Sequence, residues 1–282
     1  MPRHVDLRFP LSYPDVTMAF AERDLRRLAS ALFVLALACG VVGTPATGEG
    51  TGPLPDLSGR WAMLQVTSQI GAIPLLGERT RTASSLVLLD VHQDGLVLSA
   101  QGSACSTTID NGTTLVKTEI PEAFILSLPQ AIWTATLETS EEGLRFVRPW
   151  VTSVSGARLE DPENDPLPTS ADDPRVFDQD GDGKPGLTVR VSVLGLISGE
   201  VYVVQRDRSR LSGTVVSNDA IDGLVEWTSE QSVLGASNPF LVGGTAARID
   251  PVPEHSFFRA RRISEATTCA DLLETAQTLF GN

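Results

Sequence analysis

The stretch Asp178-Gln179-Asp180-Gly181-Asp182-Gly183-Lys184-Pro185-Gly186 has the residue types and spacing that most directly suggest chemistry. Carboxylates at every second position, followed by glycine, can curl around a hard cation and present oxygens from one side. Gly183 permits a sharp turn, and the backbone carbonyl of Lys184 can add a ligand. The spacing predicts calcium held by Asp178, Asp180, Asp182 and Lys184 in a structural role. A weak affinity of the extracellular type, on the order of 10⁻⁴ to 10⁻³ M, would be enough. Further oxygens are expected from the preceding stretch 160–173, which offers Glu160, Asp161, Glu163, Asp165, Asp172 and Asp173. The competing reading is a solvated acidic turn without metal, its like charges screened by water.

Other catalytic settings are absent. The chain has no G-x-S-x-G, H-E-x-x-H, P-loop or G-x-G-x-x-G pattern. His92 adjoins the Asp94-Gly95 turn and His255 follows Pro251-Val252-Pro253-Glu254, so both read as exposed loop residues. The chain is therefore expected not to be an enzyme, with a carboxylate-based secreted hydrolase as the alternative that spacing leaves open. Aromatic residues are few: four Trp, two Tyr and ten Phe. Trp133, Trp150 and Trp227 lie in strand-like surroundings and are expected in the core rather than on a sugar-binding face.

The elements that must position these residues are short strands and tight turns. Strands are expected over 85–92 and 96–101 around Asp94-Gly95, 105–109 and 114–118 around Asn111-Gly112, and 133–138 and 144–147 around Glu142-Gly143. Asx-Gly between apolar runs is a hairpin signal because the turn needs positive φ. Further strands are expected over 187–194, 200–205, 211–216, 224–229 and 257–263. Thr188 to Val193 alternates, implying one buried and one wet face. One helix is expected near the C-terminus. Thr268 and Asp271 form its start, Leu272, Leu273, Ala276, Leu279 and Phe280 share a face, and Gly281 ends it. The fold class is mainly β: an antiparallel barrel or a sandwich with one C-terminal helix.

The N-terminal region sets the compartment. Arg23, Arg26 and Arg27 precede the apolar run 28–38, which ends in Leu35-Ala36-Leu37-Ala38-Cys39-Gly40. A basic patch, a short apolar segment and small residues form a secretory signal rather than part of the fold. Met18 would leave a shorter basic region than Met1, so residues 1–17 read as a mis-assigned start. The Cys after Ala38 resembles the lipobox of bacterial lipoproteins, which implies that Cys39 carries the acyl chains. The family favours Leu three residues before the Cys, where this chain has Ala36 with Leu35 one step earlier. Gly40 rather than Asp after the Cys implies, by the same resemblance, the outer membrane. Two other readings stay open. One is an uncleaved anchor, although the 15 residues 28–42 fall short of the ~20 a spanning helix needs. The other is soluble export after cleavage at Thr44-Pro45-Ala46.

The expected domains are a signal segment 1–39, a Gly/Pro/Thr-rich tether 40–56, and a single β-rich domain 57–282 with the acidic loop 157–186. With Cys39 lipidated, Cys105 and Cys269 remain, and an even pair in an exported chain predicts a disulfide. The net charge is −13, which repels nucleic acid and excludes phosphate-backbone binding. Membrane contact is expected through the lipid alone, and no particular protein or small-molecule partner is indicated.

Two weaker resemblances follow from short motifs. The Asp ladder is similar to the first half of an EF-hand loop and to the D-x-D-x-D-G loops of thrombospondin type 3 repeats, which implies Asp178, Asp180 and Asp182 as calcium ligands. The twelfth loop position departs from the EF-hand, with Val189 in place of a bidentate Glu. Gly59-Arg60-Trp61 resembles the G-x-W opening of lipocalins, which implies Arg259 packing on Trp61 and a carrier of an apolar ligand as an alternative function. Such a carrier needs a cavity of several hundred Å³.

Overall fold

Alternation of apolar and polar side chains builds the strands. In Ala131–Ser140, Trp133, Ala135 and Leu137 are buried and the residues between them exposed. This is the pattern of a sheet with one packed and one wet face. The computed structural model describes residues 54–73, 77–141, 143–242 and 247–281. The signal segment, Cys39, the tether to residue 53 and Glu142 lie outside the described residues.

The elements are β1 (Gly59–Ile73), β2 (Gly77–Asp94), β3 (Val97–Asp110), β4 (Val116–Glu119), α1 (Glu122–Ser127), β5 (Ala131–Ser140) and β6 (Gly143–Ser155). After a long loop come β7 (Leu187–Val193), β8 (Ile197–Ser217), β9 (Ala220–Ala236), β10 (Ala247–Ile249), β11 (Phe257–Arg262) and α2 (Cys269–Phe280). The eleven strands among the described residues join one antiparallel sheet. Its pairings close on themselves as β1-β2-β3-β5-β6-β8-β9-β11-β1. At one end of the ring β4 and β7 bridge β3 to β8, and β10 extends β1.

Each ring strand sends apolar side chains inward. Trp61, Leu89, Leu98, Trp133, Phe146, Leu211, Ile221 and Phe258 belong to one buried cluster, with Phe146 edge-on to Trp133 at 6.2 Å between centroids. The side chains fill the interior to a residual void of about 20 Å³, room for about one water. A second cluster lies outside the ring, where Leu272 and Phe280 of α2 pack on Ala62 and Leu88.

Several local expectations hold. The helix begins with both hydrogen bonds of a capping box between Thr268 and Asp271, and Cys105 and Cys269 form a disulfide with Cα atoms 5.2 Å apart. The β2–β3 register skips Cys105 as an extra residue between Ala104 and Ser106, a bulge that locally redirects the chain.

Others need correction. Segments 96–101 and 105–109 belong to one strand, β3, as do 200–205 and 211–216 to β8. Asp94 pairs with Val97, so the turn is Gly95-Leu96 rather than Asp94-Gly95. Leu273 is 50% exposed and lies off the packed face of α2. Arg262 stands over Trp61, its guanidinium 5.0 Å from the ring centroid. Arg259 instead reaches outward to the Phe280 carbonyl at 2.6 Å. The two arginines lie three residues apart on a strand whose side chains alternate, so they face opposite ways.

Candidate metal centre

The acidic loop runs from β6 to β7, and its two ends are clasped by glycine. Gly186 has φ +82°, and a Cβ there would lie 2.3 Å from the Val203 carbonyl oxygen. Gly156 has φ +81° and would bring a Cβ to 2.8 Å of the same atom. Only glycine fits so close an approach with positive φ. Gln179 locks the clasp. Its Oε1 accepts from Gly156 N at 2.7 Å, its Nε2 donates to the Ser127 carbonyl at 3.3 Å, and its own N donates to the Gly186 carbonyl at 3.0 Å. Between the ends, Ala157 and Leu167 pack on Val204 of β8.

Asp178, Asp180 and Asp182 converge at the tip, each offering a carboxylate oxygen within 4.8 Å of the others. The loop backbone shapes itself around Asp178, whose carboxylate accepts from the N–H groups of Gly181 (2.8 Å), Asp182 (3.2 Å) and Gly183 (2.8 Å). Thr188, buried at the start of β7, fixes the other two. Its N donates to Asp180 Oδ2 at 2.9 Å and its hydroxyl to Asp182 Oδ2 at 2.6 Å. Asp180 Oδ1 is buried without a hydrogen-bond partner among the described residues. Burial, and then the neighbouring Asp182 and Asp178 charges, push the Asp180 carboxyl above its usual range. Three oxygen donors around an unsatisfied carboxylate atom fit a hard cation, since an uncompensated buried oxygen costs free energy. Oxygen-only donors do not favour a soft metal.

The other residues named with the ladder make contacts of their own. The N of Lys184 donates to Asp182 Oδ1 at 2.8 Å, and its ammonium lies 5.9 Å from the Tyr202 ring centroid. The acids expected from 160–173 do not join the cluster. Asp161 caps Glu163 and Asn164, Asp165 accepts from Asp161 N, and Glu163 accepts from Thr152. Asp173 pairs with Arg175 at 2.8 Å, and that guanidinium holds its carboxyl down to about 2. Val189 lies in β7, packed beside Leu187 and Val203. Sequence reasoning missed Thr188, because a threonine opening a strand carries no local sign that it grips two carboxylates upstream.

The other candidates lie elsewhere. The His255 imidazole is 55% exposed and its Nδ1 lies 2.8 Å from Asp250 Oδ2, which also accepts from the Ser68 hydroxyl at 2.8 Å. Asp250 Oδ1 accepts from Val252 N at 3.1 Å. The His255 contact, then those of Val252 and Ser68, hold the Asp250 carboxyl below its usual range. The Ser256 hydroxyl is engaged by Ser68 N and Trp227 Nε1. These groups pin the segment that leads into β11.

Trp133 is buried as expected, but Trp150 is 40% exposed. Pro149 has no N–H for the ladder, the β6–β8 register shifts between Arg148 and Val151, and the bulge turns the indole outward.

Among the described residues, no helix is long and apolar enough to cross a membrane. Compared with protein-family models, with curated proteins and with solved structures, the chain has no match.

Proposed function

We propose that the protein is an exported, lipid-anchored component of a bacterial cell envelope, with a β-domain that acts as a non-enzymatic binding or structural module braced by calcium. One observation carries the calcium reading: the Asp178, Asp180 and Asp182 carboxylates converge within 4.8 Å, and Thr188 ties the last two to the start of β7. A cation there would cancel the repulsion among the three acids and fasten the loop to the sheet. Its ligands would be the three Asp carboxylates, with the Lys184 carbonyl and water completing the shell.

One feature weighs against the carrier alternative. The ring interior leaves about 20 Å³, far below what a small-molecule carrier needs.

Calcium titration of the full-length protein, followed by thermal unfolding, tests the reading. At a hundredfold excess over Kd, calcium is expected to add about 2.7 kcal/mol, or roughly 5–10 °C in melting temperature for a domain of this size. Chelator should reverse the shift and Asp180→Ala should abolish it. An equal shift in the variant, or none in the wild type, would sink the calcium reading. Cys39→Ala tests the anchor. The variant is expected in the soluble fraction while the wild type sediments with membranes, and equal partitioning would remove the lipid from the proposal.

A further inference from the structure

On the outer face of the ring, β6, β8, β9 and the segment 249–256 enclose a groove of about 440 Å³, within the size range of small-ligand sites. Its walls are the bulged-out Trp150 indole on one side and Ile249, Pro251 and Pro253 on the other. Ser212, Leu224 and Glu226 line it between them. Trp150, Leu224 and Ile249 are among the exposed large apolar residues of the chain, so the groove gathers apolar surface that the core does not use.

The polar groups beside the indole are arranged in a particular way. Arg210 Nη2 donates to Glu226 Oε2 at 2.6 Å, and the same guanidinium stands over the Trp150 ring, 5.4 Å from its centroid, as that of Arg208 does at 5.7 Å. Glu226 is thus neutralised within the site, while its remaining lone pairs and the remaining Arg210 N–H groups can still hydrogen-bond. The Asp250 oxygens are already engaged by Val252 N, the Ser68 hydroxyl and the His255 imidazole.

An indole face, apolar walls and a neutralised carboxylate–guanidinium pair suit a ligand that is apolar on its C–H faces and rich in hydroxyls at its edge. We infer that this groove binds a neutral saccharide. Its C–H face would lie on the part of the Trp150 indole that the two guanidiniums leave open, and its hydroxyls would bond to Glu226 and Arg210. A net charge of −13 acts against a polyanionic glycan. The inference rests on the binding-module reading and not on its calcium part, since no groove residue lies in loop 157–186.

The test is isothermal titration of the full-length protein with cellohexaose, chitohexaose and maltohexaose, with polygalacturonate as the anionic control. At least one neutral hexasaccharide is expected to bind in the micromolar to millimolar range, and polygalacturonate is not. Trp150→Ala should weaken that binding about tenfold, the loss of one stacking contact. Ser212→Trp, which fills the groove from its floor, should abolish it, with circular dichroism confirming the fold of each variant. Absence of binding by every neutral probe, binding of polygalacturonate alone, or affinity unchanged in the folded variants would each overturn the inference. Cleavage of a bound hexasaccharide would support the groove and remove the non-enzymatic reading. A calcium-dependent melting shift without sugar binding would leave the metal reading standing and remove this one.

Discussion

Asp207 is a carboxylate deep among protein atoms that no arginine or lysine among the described residues answers in an ion pair. Part of its surface still reaches solvent, yet its oxygens are held by Gln205 Nε2 at 2.9 and 2.8 Å. Burial is the leading cause that raises its pKa, against the opposing hydrogen bonds from Ser229 and Gln205. A carboxyl whose folded pKa exceeds its unfolded value binds its proton more tightly in the native state. Its contribution favours folding at low pH and is lost as pH rises through the folded value. At neutral pH the ionised side chain therefore costs stability. Asp207→Asn keeps an acceptor for Gln205 and removes the charge, so it is expected to stabilise by about 1 kcal/mol, or roughly 2–4 °C. Thermal melts at pH 7 and pH 4 check this. The gain should shrink at the lower pH, and a variant that melts below the wild type at pH 7 would show that Asp207 is held by contacts needing its charge.

Elements differ in how much of themselves they display in sequence. α2 is legible because its signals are local: Thr268 and Asp271 three residues apart, an apolar stripe, and a terminal Gly281 at φ +61°. The Asp ladder is legible for the same reason. β8 is not, because its run Arg206-Asp207-Arg208-Ser209-Arg210 reads as a polar loop. Only its neighbours show why it is strand, since Arg206 pairs with Glu230 and Arg210 with Glu226 across the outer face. Trp150 escapes sequence reasoning because a bulge reverses the alternation on which facing is judged.

The disulfide joins the legible helix to the sheet, and this yields a prediction at the level of elements. α2 touches the ring through its outer cluster and through Arg259, which donates to the Phe280 carbonyl, and Cys105–Cys269 holds its first turn. Replacing both cysteines with alanine is expected to cost about 2–5 kcal/mol. Hydrogen exchange should quicken in α2 while β5 and β6 keep their protection. Uniform loss across the ring would mean that the helix and the interior core unfold as one unit.

At the scale of the molecule, the acids that strengthen the fold sit around the ring rather than inside it. Asp161 and Asp173 lie in the long loop, Asp250 in the segment before β11 and Asp271 at the start of α2, all with carboxyls held below their usual range. The causes that lead are the Asn164 side chain, the Arg175 guanidinium, His255 and the Thr268 hydroxyl respectively. For a depressed carboxyl the sign runs opposite to that of Asp207. The stability is fully present above the unfolded value, 3.8 for Asp, and is lost as pH falls through the folded values toward about 2 for Asp173. Moderate acidification from neutral pH also relieves the self-repulsion of a chain carrying −13. The melting temperature is therefore expected to hold or rise from pH 7 to about pH 5 and to fall steeply only below about pH 4. The interior of the ring is packed with apolar side chains from all eight of its strands. Acid should thus loosen the 157–186 loop and α2 before the ring, and exchange measured at pH 3 should show protection surviving in β1, β5 and β11 after it has gone from those two. A melting temperature that drops between pH 7 and pH 5 would show that these carboxylates do not govern the response to acid.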